Sequence, residues 1–182
     1  KGSVRYAQQV ESFPYREYLL PAGQKPELEE AGFLALEALR IDAGRPEITD
    51  IDERSLPHEY DWLASAVHLS KGCYRGQETV AKVHNLGHPP RRLVVLNLEV
   101  GDTMANPGEE IFYQGKLVGK VLAGALHYEA GSLALGLVNR NTPYLDLELC
   151  GMTASQRVLV PADAGKAANL PRPSAFKLSG KK

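Results

Sequence analysis

The chain has 182 residues, of which 43% are hydrophobic and 24% charged, and its formal net charge is −1 at pH 7. This composition is ordinary for a globular chain that is long enough to bury a core. No apolar run approaches the ~20 residues that cross a bilayer, and no segment resembles a signal peptide. Cys73 and Cys150 lie far apart without the spacing of a disulfide framework, which favours a reduced cytoplasmic protein with no membrane partner.

The first predicted elements are an extended or short helical piece over residues 6–20 and then a helix. Pro26 is predicted to open this helix, since proline suits the first helical position and acidic residues follow in the first turn. Gly44 is predicted to end it. Apolar residues recur at three- and four-residue steps and predict a buried face formed by Leu28, Ala31, Leu34, Ala35, Ala38 and Leu39.

A loop with two acids, Asp50 and Asp52, follows the helix. The spacing of these acids suggests a metal loop, but the further ligands and the glycine of a calcium loop are missing. We therefore expect them to cap a helix or to form hydrogen bonds within a turn. Residues 59–69 then carry apolar side chains at helical spacing and predict a short packed helix.

Residues 71–78, KGCYRGQE, are the strongest candidate for chemistry. Cys73 is flanked by two cations, and neighbouring cations favour the thiolate, which is the form that attacks electrophiles and binds metals. The glycines permit a tight loop, and the last two residues offer hydrogen-bonding groups. The alternative is a glycine-flanked turn with a half-buried cysteine. The candidate site residues are Lys71, Gly72, Cys73, Tyr74, Arg75, Gly76, Gln77 and Glu78.

Charge is unevenly distributed along the chain. Residues 27–61 are strongly acidic, whereas residues 71–92 carry five basic side chains against one acid, Glu78. The basic stretch favours attraction of an anion, and its alternative is a solvated loop beside an acidic helix. Direct nucleic-acid binding is not expected. His84 and His88 follow Cys73, but Gly87 and two prolines break a helix that could align them, so we expect no zinc site.

Beyond Arg91 the sequence changes to short apolar strands separated by turn residues. Leu133, Leu135 and Leu137 alternate with smaller residues, which is typical of a half-buried strand. Several strands in succession predict an antiparallel barrel or sandwich. The strands are predicted within RLVVLNL, EEIFY, KLVGKVLAG, SLALGLV, LDLELC and RVLV, with a Gln114-Gly115 turn between the second and third.

Four motifs in fixed order resemble the folate-binding YgfZ family, which is related to the glycine-cleavage T-protein, an aminomethyltransferase (GcvT). The motifs are ALRIDAGRPE from Ala38, DIDERSLPHEYDWL from Asp50, KGCYRGQETVAKVHNLGHPPRRL from Lys71 and QGKLVGKVLAGALHYEAGSLALGLVNRNTP from Gln114. The resemblance covers about residues 28–160. It implies an α+β fold, in which residues 1–90 are a remnant of the GcvT-like folate-binding region and residues 91–161 form a C-terminal antiparallel β-barrel. After Pro161 the composition turns to Ala, Gly, Pro, Ser and Lys, which predicts a disordered tail over residues 162–182.

The resemblance also implies that a substantial N-terminal portion precedes these motifs, so we expect a fragment. Its functional implication is tetrahydrofolate binding by an accessory protein that supports iron-sulfur cluster assembly or repair, including that of tRNA-modifying enzymes. Folate is then the small-molecule partner, and iron-sulfur proteins or their assembly machinery are the protein partners. Cys73 is the central thiol in this family. In the T-protein the segment matching LRIDAG reads LRLEAG, with its arginine close to folate, so Arg40 is the predicted folate contact and Asp42 replaces a glutamate.

Three function classes follow from this resemblance. The first is the iron-sulfur accessory protein, in which Cys73 acts as a thiolate in a folate-dependent step or as a transient iron ligand. The second is an aminomethyltransferase that transfers a one-carbon unit to tetrahydrofolate, and the T-protein lacks the motif cysteine. The third is a non-catalytic folate or protein binding module. A cluster held by one chain is not expected, because the usual set of cysteine ligands is missing.

Overall fold

The computed structural model describes residue 6, residues 15–100 and residues 102–165. These residues form three α-helices, two short 3-10 helices and six β-strands. The α-helices are α1 (Phe33–Asp42), α2 (Leu63–Ala66) and α3 (Gln77–Leu86), and the 3-10 helices are Ile48–Asp50 and Pro57–Tyr60. The strands are β1 (Arg91–Leu98), β2 (Glu110–Tyr113), β3 (Lys116–His127), β4 (Gly131–Asn139), β5 (Leu147–Leu149) and β6 (Met152–Val158).

The six strands close into an antiparallel barrel in the order β1-β4-β3-β2-β5-β6. The fold is therefore α+β with a C-terminal antiparallel barrel, as the sequence predicts. The Gln114-Gly115 turn is also confirmed, because both residues have positive φ, at 50° and 71°. This conformation matches the twist of a two-residue hairpin connection.

Two hydrophobic clusters lie on the two faces of the barrel wall. Leu133, Leu135 and Leu137 of β4 point outward and pack with Ala38 and Ile41 of α1. Ala134 and Val138 point inward, where they pack with side chains of the other strands. The expectation of a half-buried β4 is wrong, because helices cover its outer face and the barrel interior covers the other.

Helix α1 lies on β3 and β4 but begins later than predicted. It starts at Phe33, so the acidic residues after Pro26 precede it and do not lie in its first turn. The predicted buried face is also largely wrong. Ala38 is buried, whereas Leu28, Leu34 and Leu39 are exposed, with 63%, 70% and 38% of their surface accessible. Most of the predicted apolar face is therefore exposed among the described residues.

Two other boundaries differ from the prediction. Residues 59–69 do not form one helix, because Asp61 adopts φ 57° and separates the 3-10 helix Pro57–Tyr60 from α2. The last strand begins at Met152 and ends at Val158, earlier than the predicted RVLV. Of the predicted tail 162–182, residues 162–165 fall within the described part. Ala164 is buried there, with 2% exposed. Residues 166–182, like residues 7–14, lie outside the described part.

Candidate functional site

The thiol motif forms a loop over residues 71–76 that leads directly into α3. Gly76 precedes the helix with φ 81°, a conformation that suits glycine, and Gln77 and Glu78 then form the first turn of α3. Cys73 is exposed as a free thiol. The Lys71 ammonium lies 5.2 Å from the centre of the Tyr74 ring, a cation–π contact within the loop. The arrangement presents a thiol to solvent at the N-terminal end of a helix.

Helix α3 packs against the 3-10 helix Pro57–Tyr60, and a histidine pair lies between them; Val80 is the buried residue of α3. The rings of His58 and His84 lie 6.4 Å apart between their centres. His58 is fully buried, and neither of its ring nitrogens has a hydrogen-bond partner among the described residues. Burial, together with the nearby His84, lowers the pKa of His58 to about 4. A neutral imidazole therefore lies beneath the helix that carries the motif.

A second polar cluster lies at the start of β1. Arg91 donates to both carboxylate oxygens of Glu59, at 2.9 Å each, and to Asp52 at 2.7 Å. Hydrogen bonds to Glu59 raise the pKa of Arg91, and Arg91 in turn holds the pKa of Asp52 well below its usual range. Glu59 also accepts from the Leu56 N–H and caps its own 3-10 helix. The cluster joins the loop region to the barrel.

Sequence reasoning missed the Glu59–Arg91 pair. The two residues lie 32 positions apart, and no local spacing marks them as partners. The expectation for the two loop acids is confirmed, since Asp50 accepts from the Glu47 N–H and Asp52 accepts from the Arg54 N–H. Both acids also bind an arginine side chain.

Arg40, the predicted folate contact, is buried in a carboxylate network. Its guanidinium donates to Glu37 through Nε at 3.0 Å and Nη2 at 2.7 Å, to Asp50 at 2.7 Å, and to the Arg45 carbonyl oxygen at 2.8 Å. Burial lowers the pKa of Arg40, but hydrogen bonds to Glu37 and Asp50 outweigh it, so the pKa is raised. The network fixes the turn that follows α1.

Asp42 of the LRIDAG segment also has a partner. Its carboxylate lies 2.8 Å from Nη2 of Arg157, which ties the end of α1 to β6. Arg40 and Asp42 thus lie on a helix that packs on the barrel, whereas the thiol motif precedes a helix that packs on the 3-10 helix Pro57–Tyr60. The two predicted parts of the site lie on different elements.

The basic stretch of residues 71–92 is divided by the fold. Arg91 is neutralised by two carboxylates, and Arg92 points into the barrel with no exposed surface. Lys71 and Arg75 remain exposed in the thiol loop, and Lys82 is exposed on α3. The basic stretch therefore offers three exposed cations to an anion rather than five.

Metal ligands are not gathered in the described part of the chain. No group of three or more His, Cys, Asp or Glu side chains is placed there to hold a metal ion. His88, considered with His84 for zinc, has its Nδ1 2.9 Å from the Ala164 carbonyl oxygen. Among the described helices none is long and apolar enough to cross a membrane.

An apolar groove of about 440 Å³ lies between α1 and the end of β3. Its walls are mainly hydrophobic and include several side chains that α1 leaves exposed. The lining residues are Leu34, Ala35, Ala38, Leu39, Met104, Ala125, Leu126, His127 and Tyr128.

The second cysteine lies in a different environment from the first. Cys150 occupies the β5–β6 turn with φ 54°, and its thiol donates to Glu109 at 2.6 Å. Burial and the Glu109 carboxylate raise the pKa of Cys150 to about 11. At neutral pH this thiol is protonated, so it is a poor nucleophile.

The fold and the site define an α+β barrel protein with an exposed thiol loop at the start of a helix. The chain is 35% identical over 151 residues to an aminomethyltransferase of Rippkaea orientalis, a match that covers 78% of this chain and 38% of that protein. It is 39% identical over 94 residues to a chloroplastic protein of Arabidopsis thaliana that is provisionally named a transferase, covering 50% of this chain and 20% of that protein.

Among solved structures, the glycine cleavage system aminomethyltransferase T of Bartonella henselae superposes with a TM-score of 0.55 at 22% identity, covering 69% of this chain and 37% of that one. This likeness shows the fold. No family model matches the chain. The chain spans between a fifth and two fifths of the length of the curated relatives it matches. These homologues and the structural neighbour point to the GcvT/aminomethyltransferase-like superfamily.

Proposed function

We propose that the chain is the thiol-bearing part of a tetrahydrofolate-binding, YgfZ-like accessory protein that supports iron-sulfur cluster assembly or repair. The observation that carries the proposal is the exposure of Cys73 in a complete KGCYRGQE loop at the start of α3. A buried cysteine in this position would favour a packing role. An exposed thiol among exposed cations favours chemistry.

Cys73 acts in this proposal as a thiolate that either takes part in a folate-dependent step or transiently holds iron for a client protein. Lys71 and Arg75 supply positive charge to the loop that carries the thiol, while Gln77 and Glu78 orient the loop. Gly72 and Gly76 keep the backbone free of side chains beside the sulfur, and Tyr74 anchors Lys71. Iron-sulfur proteins, including tRNA-modifying enzymes, are the proposed partners, and the cytoplasm is the proposed compartment.

Folate binding rests on the superfamily to which the relatives point and on Arg40. The carboxylate network uses four of the five N–H groups of the Arg40 guanidinium. Folate would therefore bind to the remaining N–H or would exchange for one of the carboxylates. In either case Arg40 also positions the turn that follows α1.

Aminomethyl transfer to tetrahydrofolate is the second candidate. The match to the Rippkaea orientalis aminomethyltransferase favours it, because that match runs over 151 residues of this chain. The exposed motif cysteine favours the first candidate, because the T-protein lacks it. Glycine-cleavage activity of the natural full-length protein distinguishes the two. Activity that survives Cys73→Ser would favour the transferase.

Titration calorimetry with 5-formyltetrahydrofolate tests the folate part of the proposal. The natural full-length protein should bind, and Arg40→Ala should weaken binding by at least tenfold. Arg54→Ala is the matched control, because this substitution removes the same charge from an exposed position. Circular dichroism of each variant separates lost binding from lost fold. Absence of binding by the unaltered protein would overturn the folate assignment.

Complementation tests the thiol part. In cells that lack the protein, Cys73→Ser should fail to restore the activity of an iron-sulfur enzyme, whereas Cys150→Ser should restore it. Equal rescue by the Cys73→Ser variant would remove the thiol from the mechanism and leave the third class, a binding module. If the Cys73→Ser variant still binds folate, the folate part of the proposal stands even where the thiol part fails.

A further inference from the structure

The end of the barrel where β1 begins contains a buried positive charge. Side chains alternate along β1, so Arg92 shares the inward face with Val94 and Leu96, and it lies opposite Val138 of β4. Its side chain has no exposed surface. A guanidinium stays protonated in proteins, so the barrel interior holds a full charge at this point.

Arg40, which is buried, and Arg91, which is half-buried, both have carboxylate partners. Arg40 is paired with Glu37 and Asp50, and Arg91 is paired with Asp52 and Glu59. Arg92 forms no ion pair with any described residue, although it is more buried than either of them. A buried charge is strongly unfavourable unless it is paired and hydrogen-bonded.

The neutral partners of Arg92 use only one of its three nitrogens. Nη2 donates to the Thr142 carbonyl oxygen at 2.8 Å and to Oε1 of Gln156 at 3.1 Å. Nε and Nη1, which carry the other three of the five N–H groups, have no acceptor among the described residues. The buried hydroxyl of Thr142 also lacks a partner there. Arg92 and Thr142, which are joined through Nη2 and the Thr142 carbonyl oxygen, therefore both carry donors without acceptors.

The loop between β4 and β5 covers this point. The Gln156 amide donates to the Pro143 carbonyl oxygen at 2.6 Å and holds the loop across the barrel end. The Tyr144 ring lies over the guanidinium, 4.7 Å from Cζ to the ring centre, and its hydroxyl accepts from the Ala162 N–H. A cation–π contact offsets only part of the desolvation of a charge, so the ring does not replace an anion.

We propose that Arg92 and Thr142, beneath the ring of Tyr144, form a binding site for a small anion. Nε and Nη1 of Arg92 and the hydroxyl of Thr142 donate to it, and it neutralises the buried charge. The ligand is an inorganic anion or a single carboxylate group, because both supply compact, negatively charged acceptors. This site is separate from the thiol loop and does not depend on the proposed function.

Thermal unfolding of the 182-residue chain tests the site. Sodium bromide, sodium phosphate and sodium acetate are titrated separately at matched ionic strength. A response to bromide or phosphate indicates an inorganic anion, and a response to acetate indicates a carboxylate group. For at least one anion the Tm should rise by about 4 °C at roughly ten times its Kd. Arg54→Met is the control, because it removes an exposed charge and should leave the rise unchanged.

Arg92→Met should abolish this rise, since methionine fills similar space without a charge. Parallel rises in the unaltered chain, the control and Arg92→Met would show a general salt effect and overturn the proposal, as would a flat response of the unaltered chain. Crystals of the unaltered chain decide the matter even where Arg92→Met does not fold. An anomalous bromide peak, or acetate density, within hydrogen-bonding distance of Arg92 Nη1 or Nε supports the site. Water alone at that position in both crystals overturns it.

Discussion

The Glu59 carboxylate has no exposed side-chain surface and lies 2.9 Å from Nη2 of Arg91, so this ion pair is buried on its acidic side. The pair joins the 3-10 helix Pro57–Tyr60 to the first barrel strand. It also fixes the surface on which α3, and with it the thiol loop, rests. A loss of Glu59 would therefore affect both the barrel and the position of the motif.

Glu59→Gln should lower the free energy of unfolding by about 3 kcal/mol, because it leaves the Arg91 guanidinium partly buried without its main counter-charge. Asp52→Asn is the matched control. The Asp52 side chain is 34% exposed, so water can replace it and its loss should cost about 1 kcal/mol. Urea unfolding of the three proteins measures both values. Equal costs for the two variants would contradict a dominant role for Glu59.

Stability should fall as the pH is lowered from about 6.5 to about 4, because of His58. Its folded-state pKa is lowered to about 4, below the ordinary value of 6.5, so in this window the unfolded chain binds a proton that the folded chain does not. The loss should be about 3 kcal/mol, since one pKa unit corresponds to about 1.4 kcal/mol. The Asp52 carboxylate affects stability at lower pH. Arg91 holds its folded-state pKa well below the ordinary value, so its contribution to stability is present above the ordinary pKa and is lost as the pH falls toward the folded-state pKa.

His58→Leu should remove most of the loss between pH 6.5 and pH 4 and should also remove two unpartnered ring nitrogens. His68→Gln is the control, because His68 is exposed and the buried ring remains. Urea midpoints measured at half-unit steps of pH give both curves. A slope that persists in His58→Leu would assign the acid sensitivity to other groups.

Iodoacetamide should modify Cys73 at least tenfold faster than Cys150 at pH 7.5. Both thiols are exposed, but the pKa of Cys150 is raised to about 11, so its thiolate fraction is very small. Peptide mass spectrometry at timed intervals gives the two rates. Glu109→Gln should accelerate Cys150 and leave Cys73 unchanged, because Glu109 contacts only the former thiol. Faster labelling of Cys150 in the unaltered chain would contradict the assignment.

The barrel could be predicted from the sequence because its signals are local. Alternating strands and the Gln114-Gly115 turn each depend on neighbouring residues, and they recur within β1–β6. The exposed thiol loop could also be located, since its glycines and cations are contiguous. The start of α1 could not, because whether Leu28 and Leu34 are covered depends on packing partners that lie elsewhere in sequence.

The ion pairs could not be predicted from the sequence, because they too depend on partners that lie far apart along the chain. Arg91 and Arg92 are adjacent and chemically identical, yet strand alternation sends one to a carboxylate cluster and the other into the barrel. The different environments of the two arginines depend on where Glu59 and the β4–β5 loop lie in the fold. A charge pattern read along the chain counts both as part of one basic stretch.

Gly124→Ala should destabilise the barrel by about 2 kcal/mol or more, because a Cβ at this position of β3 would collide with the carbonyl oxygen of Ala105. Backbone atoms cannot rotate away as a side chain can, so β3 or the segment that carries Ala105 must shift. Gly32→Ala, at the N-cap of α1, is the matched control, since its Cβ would meet nothing within 4 Å. Its effect should stay within about 0.5 kcal/mol. Urea unfolding of both variants checks the difference, and a tolerated Gly124→Ala would mean that β3 and Ala105 are less closely packed than the structure shows.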